Sequence, residues 1–297
     1  MKNNNRAVPV VFGEVLFDCF PDGNSVLGGA PFNVAWHLQA FGLSPLLISA
    51  IGDDELGKKV SSAVQNWKMD TSGLQLDPNH PTGSVDIVFD QGEPQYTIVE
   101  HRAYDYIDTA LLPLLAENSL LYHGSLALRN QTSRQALAKL KAQHSGSIFM
   151  DVNLRDPWWK KEFVLNLADD ADWVKLNEDE LSLLGCAAGD IESQAGQFID
   201  RHKLQGLVIT LGAKGAIALT ENGSFAQVKP AQTLEVVDTV GAGDAFTSVL
   251  ILGLLLQWPL EQTMSRAQDF ASLMVGQQGA TVHQQNFYQT KINDWCL

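Results

Sequence analysis

Short apolar runs alternate with helical segments along the middle of the chain. The apolar runs lie at 120–122, 148–152, 173–176 and 207–211, and helical spacing marks 133–143 and 194–202. This alternation is typical of a parallel sheet that is covered by helices. We therefore expect an α/β fold with a mostly parallel central sheet.

The rest of the chain adds similar elements and one region of different texture. Strands are expected at 8–12, 15–20 and 46–51, helices at 31–41 and 56–67, an antiparallel pair at 216–219 and 225–228, and two closing helices at 242–256 and 260–277. The β-forming runs 84–89 and 96–99 flank Gln91-Gly92, which predicts a hairpin. With the strand near residue 15, this hairpin is expected to form a small β-sheet lid, about 14–23 and 82–100. We expect residues 1–297 to form a single domain.

Charge and composition exclude several classes of partner. The 297 residues are 45% hydrophobic and include 34 Asp+Glu against 20 Lys+Arg, a formal charge of −14. Such a field opposes broad binding to nucleic acid or to anionic membranes, so an anionic ligand needs a few local donors. Cys19, Cys186 and Cys296 form no CxxC motif, and no signal peptide or membrane span can be drawn. We expect a globular protein of the cytoplasm.

The most informative segment runs from Asp238 to Asp244. Its sequence is Asp-Thr-Val-Gly-Ala-Gly-Asp, and an apolar helix follows. Free N–H groups at the start of that helix would form a site for an anion, and a carboxylate beside such a site suits a general base. The alternative is a glycine-rich turn in which Asp244 caps the helix.

This segment resembles the C-terminal signature of the PfkB, or ribokinase-like, carbohydrate kinases. The run Gly28-Gly29-Ala30-Pro31-Phe32-Asn33-Val34-Ala35, followed by Gly42 and by Ile51-Gly52-Asp53-Asp54, resembles their N-terminal signature. The resemblance implies a ribokinase-like three-layer α/β/α fold with a β lid. It also implies transfer of the γ-phosphate of ATP to a sugar hydroxyl, with magnesium and potassium as candidate cations.

The resemblance assigns roles to residues of the second half. Asp244 corresponds to the catalytic base, and Gly241, Ala242 and Gly243 to the anion hole. The family's nucleotide and metal positions match Asn177 near the phosphates, Thr210, Gly212 and Gly215 in the ATP loop, Glu180 in the water network around magnesium, and Asp238 and Val240 near potassium. Asn177 is equally a good N-cap with Glu180 three places on, and the ATP loop alone reads as a hairpin turn.

Arg155 closes the motif Asp151-Val152-Asn153-Leu154-Arg155 at the end of a predicted strand, where ligands of open α/β sheets gather. A guanidinium suits contact with the transferred phosphate. The alternative is a surface ion pair with Asp151 or Asp156. Lys175 is a second candidate for contact with the same phosphate.

For the sugar, the resemblance implies a pocket at the lid. The matching positions are Asp18, Gly28, Gly29 and Asn33, with Arg102 at the end of the lid hairpin. A solvated Arg102 is the alternative, and Phe32 and Phe89 would pack in the core or offer an apolar face. We expect a fructokinase-like enzyme, either a monomer or a dimer formed through the lid. A 2-keto-3-deoxygluconate kinase, a ribose or nucleoside kinase and a non-catalytic sugar sensor remain alternatives.

One apparent phosphate motif is rejected. The segment from Gly52 to Lys59 matches G-x-x-x-x-G-K, but Lys59 stands where a P-loop needs Ser or Thr. Its acidic residues would also face the phosphate. We predict a turn and a helix start there instead.

Overall fold

A computed structural model describes residues 8–90, 93–185, 189–230 and 236–297. The strands are β1 Val8–Phe12, β2 Leu16–Cys19, β3 Ser25–Gly28, β4 Leu46–Gly52, β5 Leu74–Asp77, β6 Gly83–Asp90, β7 Glu93–Ile98, β8 Ser119–His123, β9 Ile148–Asp151, β10 Trp173–Asn177, β11 Gly206–Thr210, β12 Ala216–Thr220 and β13 Phe225–Val228. The helices are α1 Ala30–Ala40, α2 Glu55–Asn66, α3 Gln131–Gln143, α4 Lys161–Asp169, α5 Glu178–Leu184, α6 Ile191–His202, α7 Ala242–Leu255, α8 Leu260–Val275 and α9 Gln285–Trp295.

Contacts within the chain group these elements into two units. The first unit contains Ala116–Leu126 and Ser145–Ala280 together with the chain up to Pro9. Its strands follow the order β13-β12-β11-β10-β9-β8. Strands β8 to β11 are parallel, and β12 and β13 join them antiparallel. Buried Val174, Val208 and Leu250 belong to its core.

The second unit contains Val10–Leu115, Ala127–His144 and Thr281–Leu297. It holds the parallel strands β1, β4 and β5 and a separate small sheet of order β3-β2-β6-β7. In the small sheet β2 pairs antiparallel with β3 and parallel with β6, and β6 pairs antiparallel with β7.

The large, mostly parallel sheet and the small separate sheet confirm the predicted α/β fold. The predicted turn at Gln91-Gly92, the side chain of Phe89 and Cys186 lie outside what the structure describes. In the described ranges, no helix is long and apolar enough to cross a membrane. The N-cap of α2 is Asp54, whose carboxylate accepts the N–H of Gly57 at 2.7 Å, so the segment rejected as a P-loop is a helix start.

Several elements differ from the sequence prediction, among them helix α4, since no helix was predicted between 152 and 173. Strands β3 and β5 were not expected, because each is only four residues long, too short for even the alternating Leu-Gln-Leu-Asp of β5 to indicate a strand. The expectation of two closing helices is wrong, since α9 follows α8. Helix α9 is mostly polar and buries only Tyr288 and Trp295, too few apolar positions to reveal a helical period.

Candidate active site

The predicted anion hole lies where helix α7 begins. Gly241 is the N-cap, with a φ of 78°, and a Cβ there would lie 2.4 Å from Cα of Ala280, so close packing requires glycine. Gly243 is exposed and Asp244 is half-buried in the first turn. The first N–H groups of a helix have no intrahelical acceptor, and the positive end of the helix dipole lies with them. The turn can therefore bind an anion beside a carboxylate.

The loop before this turn is held by Asp238. Its carboxylate accepts the N–H of Val240 at 2.9 Å and the N–H of Gly279 at 3.0 Å. Val240 itself is exposed. Asp238 therefore joins the start of the anion hole to the segment that follows α8.

Asn177 and Glu180 form a capping box at the start of α5. The Asn177 Oδ1 accepts the N–H of Glu180 at 2.8 Å, and Glu180 Oε2 accepts the N–H of Asn177 at 2.8 Å. Glu180 Oε1 also accepts the N–H of Leu154 at 2.7 Å, which joins this box to the Asp151–Arg155 motif. Burial raises the pKa of Glu180, although the hydrogen bonds from the N–H groups of Asn177 and Leu154 oppose the shift. Asn177 is therefore the N-cap of α5, as the alternative proposed, and its exposed side chain lies at the end of β10.

Arg155 is exposed and has no ion-pair partner within the described ranges. Both predicted acidic partners are engaged elsewhere. Asp151 pairs with Lys175, and Asp156 accepts the indole N–H of Trp159 at 2.7 Å. The surface ion pair considered for Arg155 is therefore absent from the described part of the chain, and the guanidinium is accessible to a ligand.

Lys175 is buried rather than extended toward solvent. Its ammonium donates to both carboxylate oxygens of Asp151, at 2.9 and 2.8 Å. The two side chains are only 8% and 3% exposed. The ammonium nevertheless lies 3.9 Å from the point where a Cβ of Gly243 would stand, so it adjoins the anion hole.

The predicted ATP loop connects β11 to β12. Thr210 ends β11, directly opposite Asn177 of β10 in the parallel register. Gly212 is exposed with open space where a Cβ would stand, and the N–H of Leu211 donates to the carbonyl oxygen of Gly215 at 2.8 Å. Gly215 therefore closes a hairpin turn, while Thr210 and Gly212 remain accessible beside the capping box.

The predicted sugar residues meet in the second unit. Leu16 and Asp18 of β2 pair with Gly28 and Val26 of β3, so Asp18 and Gly28 lie on one face of the small sheet. The Oδ1 of buried Asn33 lies 3.8 Å from the Cβ position of Gly28. These three residues can therefore line one surface. Phe32, for which a core position or an apolar face of the pocket was predicted, is fully buried and belongs to the core.

Gly29 and Arg102 complete this set. Gly29 is the N-cap of α1 with a φ of 108°, and a Cβ there would lie 2.7 Å from the carbonyl oxygen of Glu14. Arg102 precedes the 3₁₀ turn Ala103–Tyr106, and its backbone N–H donates to Asp105 at 3.0 Å. The buried Nε of Arg102 has no hydrogen-bond partner in the described residues.

Sequence reasoning missed buried polar side chains near this set. Glu14 is 3% exposed, and Tyr104 is fully buried with no hydrogen-bond partner for its hydroxyl in the described residues. Burial raises the pKa of Tyr104, and the Arg129 guanidinium lies 5.2 Å from the ring centroid. Arg129 also pairs with Asp105 through both carboxylate oxygens, at 2.7 and 2.8 Å. The local sequence carried no clear signal for their burial, because Arg102-Ala103-Tyr104-Asp105 lies between Glu100-His101 and Asp108 in a mixed polar stretch.

The donor set near the anion hole suits a hydrated metal ion rather than a metal enclosed by side chains. In the described ranges, no three His, Cys, Asp or Glu residues are arranged to hold a metal. Each oxygen of Glu180 already accepts a backbone N–H but keeps a further lone pair for a water molecule. Mg²⁺ commonly keeps several waters and binds through phosphates. The residues present fit such an ion.

Two solved structures share the fold of this chain and define its class. The crystal structure of fructokinase from Vibrio cholerae O395, in its fructose, ADP and calcium ion bound form, has a TM-score of 0.81 and 27% identity, and covers 96% of this chain and 98% of that one. The aminoimidazole riboside kinase from Salmonella enterica, complexed with aminoimidazole riboside and an ATP analog, has a TM-score of 0.80 and 26% identity, covering 92% and 94%. The fold is therefore ribokinase-like.

The family follows from the sequence. The pfkB family carbohydrate kinase model matches residues 19–286. The fructokinase of Salmonella typhimurium is 29% identical over 290 residues, which is 91% of this chain and 94% of that protein. This chain belongs to the pfkB family and is a carbohydrate kinase, an enzyme that transfers phosphate to a hydroxyl group of a sugar.

Proposed function

We propose that this protein transfers the γ-phosphate of ATP to a hydroxyl of fructose. The observation that carries the proposal is the first turn of α7, where exposed Gly243 and half-buried Asp244 follow the N-cap Gly241. The relatives named fructokinases support the choice of sugar. The ATP analog bound to the riboside kinase and the ADP bound to the Vibrio enzyme support the nucleotide.

In this mechanism Asp244 accepts the proton of the attacking hydroxyl. The hydroxyl oxygen forms a bond to the γ-phosphorus, the bond from that phosphorus to the bridging oxygen of ADP breaks, and the electron pair leaves with ADP. The N–H groups of Gly241 and Gly243 and the accessible guanidinium of Arg155 stabilise charge on the moving phosphoryl group. The N–H of Ala242 donates to the carbonyl oxygen of Thr239 at 3.3 Å and shapes the turn. These donors are local, as the net charge of −14 requires.

For the nucleotide, Asn177, Thr210 and Gly212 bind ATP near the ends of β10 and β11, and Gly215 shapes that loop. The positive charge of Lys175 lies next to Gly243 and attracts the phosphates. Magnesium, held through water by Glu180, would neutralise charge on the phosphates when bound. Asp238 and the backbone at Val240 are proposed to lie next to a potassium ion.

For the sugar, we propose that Asp18 and Asn33 bind vicinal hydroxyl groups, while Gly28 and Gly29 admit the ring. The small sheet acts as the lid of one kinase domain. A carboxylated sugar such as 2-keto-3-deoxygluconate is a second candidate, because the Nε of Arg102, which has no hydrogen-bond partner among the described residues, could donate to a carboxylate.

A substrate panel tests the choice of sugar. ADP release is measured with fructose, ribose, 2-keto-3-deoxygluconate and adenosine, each at several concentrations with magnesium and ATP. We expect the largest kcat/KM with fructose. A larger value with another acceptor would overturn fructose as the substrate, whereas tight sugar binding without turnover would support a sensor.

A substitution of the base tests the mechanism. Asp244→Asn keeps the shape of the side chain but removes its ability to take a proton, so kcat should fall roughly 10²–10⁴-fold. Binding of ATP, followed by calorimetry, should persist. The control is Asp269→Asn, which removes an exposed carboxylate of α8 and should keep wild-type turnover. Near-wild-type kcat in Asp244→Asn would rule out the assigned base.

A further inference from the structure

A buried cluster joins the central sheet of the first unit to helix α7. Asp151 ends β9, Lys175 lies opposite it on β10, and Thr247 lies on α7. The hydroxyl of Thr247 lies 2.9 Å from Asp151 Oδ2, the oxygen that Lys175 contacts at 2.8 Å. Thr247 is fully buried. Each carboxylate oxygen of Asp151 thus has a donor, as a buried charge requires.

The same hydroxyl reaches the anion hole. Thr247 Oγ1 lies 2.9 Å from the carbonyl oxygen of Gly243, one helical turn earlier. A hydroxyl has one hydrogen, so it is shared between this carbonyl and the carboxylate of Asp151. A back-bond within a helix is common for threonine, but the carboxylate is an additional, charged acceptor. Thr247 therefore fixes the first turn of α7 to a strand end.

The position of the cluster matters for phosphoryl transfer. Gly243 and Asp244 lie in the first turn of α7, and a displacement of about 1 Å in a reacting group can cost up to 10²-fold in rate. The strand ends that carry Asp151 and Lys175 are rigid because each strand pairs with neighbours. The contacts of the Thr247 hydroxyl with Asp151 and with the carbonyl of Gly243 therefore limit how far the first turn of α7 can move.

Accepting the proposed function, we propose that Thr247 is a positioning residue for phosphoryl transfer. Its hydroxyl ties the turn that carries Gly243 and Asp244 to the Asp151–Lys175 ion pair. This ion pair serves as the anchor, and Thr247 touches neither substrate nor nucleotide.

Two substitutions of Thr247 and one matched control test the role kinetically. Thr247→Val removes the hydroxyl with little change of shape, and Thr247→Ser keeps it. Ser248→Ala removes a neighbouring buried hydroxyl whose hydrogen bond in the described residues is within α7, to the carbonyl of Ala245 at 2.7 Å. We expect a fall in kcat of roughly tenfold in Thr247→Val, with KM values for both substrates within about twofold of wild type. Thr247→Ser and Ser248→Ala should keep kcat near wild type.

A second measurement needs no turnover. Hydrogen exchange of the peptide 241–250, followed by mass spectrometry without substrates, should be faster in Thr247→Val than in Ser248→Ala. If wild type lacks kinase activity but this difference appears, the proposed function fails and the anchoring role stands. Equal exchange in the two variants, or wild-type kcat in an active Thr247→Val enzyme, would overturn the inference.

Discussion

At the scale of single residues, close contact with another part of the backbone explains why both motifs contain glycine. Gly241 lies against Ala280, and Gly29 lies against the carbonyl of Glu14. The family resemblance assigned both glycines to ligand-binding positions, where a residue without a side chain lets the ligand come close to the backbone. The structure adds a second reason, because another part of the chain already occupies the space that a side chain would need.

Gly29→Ala should therefore destabilise the protein more than an ordinary substitution at positive φ. Gly42 is the matched control, since its φ is 82° and, apart from its chain neighbours, no described residue comes within 4 Å of its Cβ position. The free energy of unfolding, measured in urea, should fall by about 1–2 kcal/mol in Gly42→Ala from backbone strain alone. Gly29→Ala should lose about 1–3 kcal/mol more, because Cβ meets the Glu14 carbonyl at 2.7 Å. Equal losses would show that the contact relaxes at no cost.

At the scale of elements, the capping box of α5 links two motifs that the sequence treated separately. Asn177 and Glu180 were predicted both as an N-cap pair and as ligand residues, and the hydrogen bonds establish the N-cap. The bond from Leu154 to Glu180 was not foreseen, because nothing in the local sequence reveals which neighbour a carboxylate will reach. One carboxylate therefore organises the ends of β9 and β10.

The raised pKa of Glu180 predicts a pH dependence of stability. A carboxyl group whose pKa is raised on folding contributes stability below its unfolded value of 4.5, and that contribution is lost as the pH rises through the folded pKa. Glu180→Gln lacks this titration. The free energy of unfolding of wild type minus that of Glu180→Gln should thus fall as the pH rises from 4.5 and then level off.

Urea unfolding of both proteins at intervals between about pH 4 and 8 measures this difference. Glu178→Gln is the control, because Glu178 is an exposed carboxylate of the same helix turn. A difference between wild type and Glu180→Gln that stays constant over this range would contradict the raised pKa.

At the scale of the whole molecule, each unit is assembled from distant parts of the chain. The second unit needs Thr281–Leu297, whose helix α9 packs on α1, the helix that carries Asn33. Tyr288 of α9 is fully buried, and its hydroxyl lies 3.0 Å from His37 Nδ1. Trp36 stacks on Trp67 at 4.5 Å and donates its indole N–H to the carbonyl of Val282.

Loss of the Tyr288 ring should consequently destabilise the second unit. Tyr288→Ala creates a cavity against α1 and should reduce the free energy of unfolding by roughly 3–5 kcal/mol. Gln289→Ala, an exposed position on the same helix, should change it by less than about 0.5 kcal/mol. Thermal unfolding of the two variants side by side distinguishes them. Equal midpoints would mean that α9 contributes little to this unit.

The sequence alone determined the α/β class, most strands and helices, and the two signatures that contain Asp244 and Gly29. These properties are local, because periodicity, glycine pairs and helix starts are set by residues within about ten positions of each other. Only the tertiary structure decided that Lys175 pairs with Asp151, that Arg155 stays accessible, and that α9 completes the second unit. Such pairings depend on strand register and on contacts between residues as far apart as His37 and Tyr288, and no local pattern encodes them.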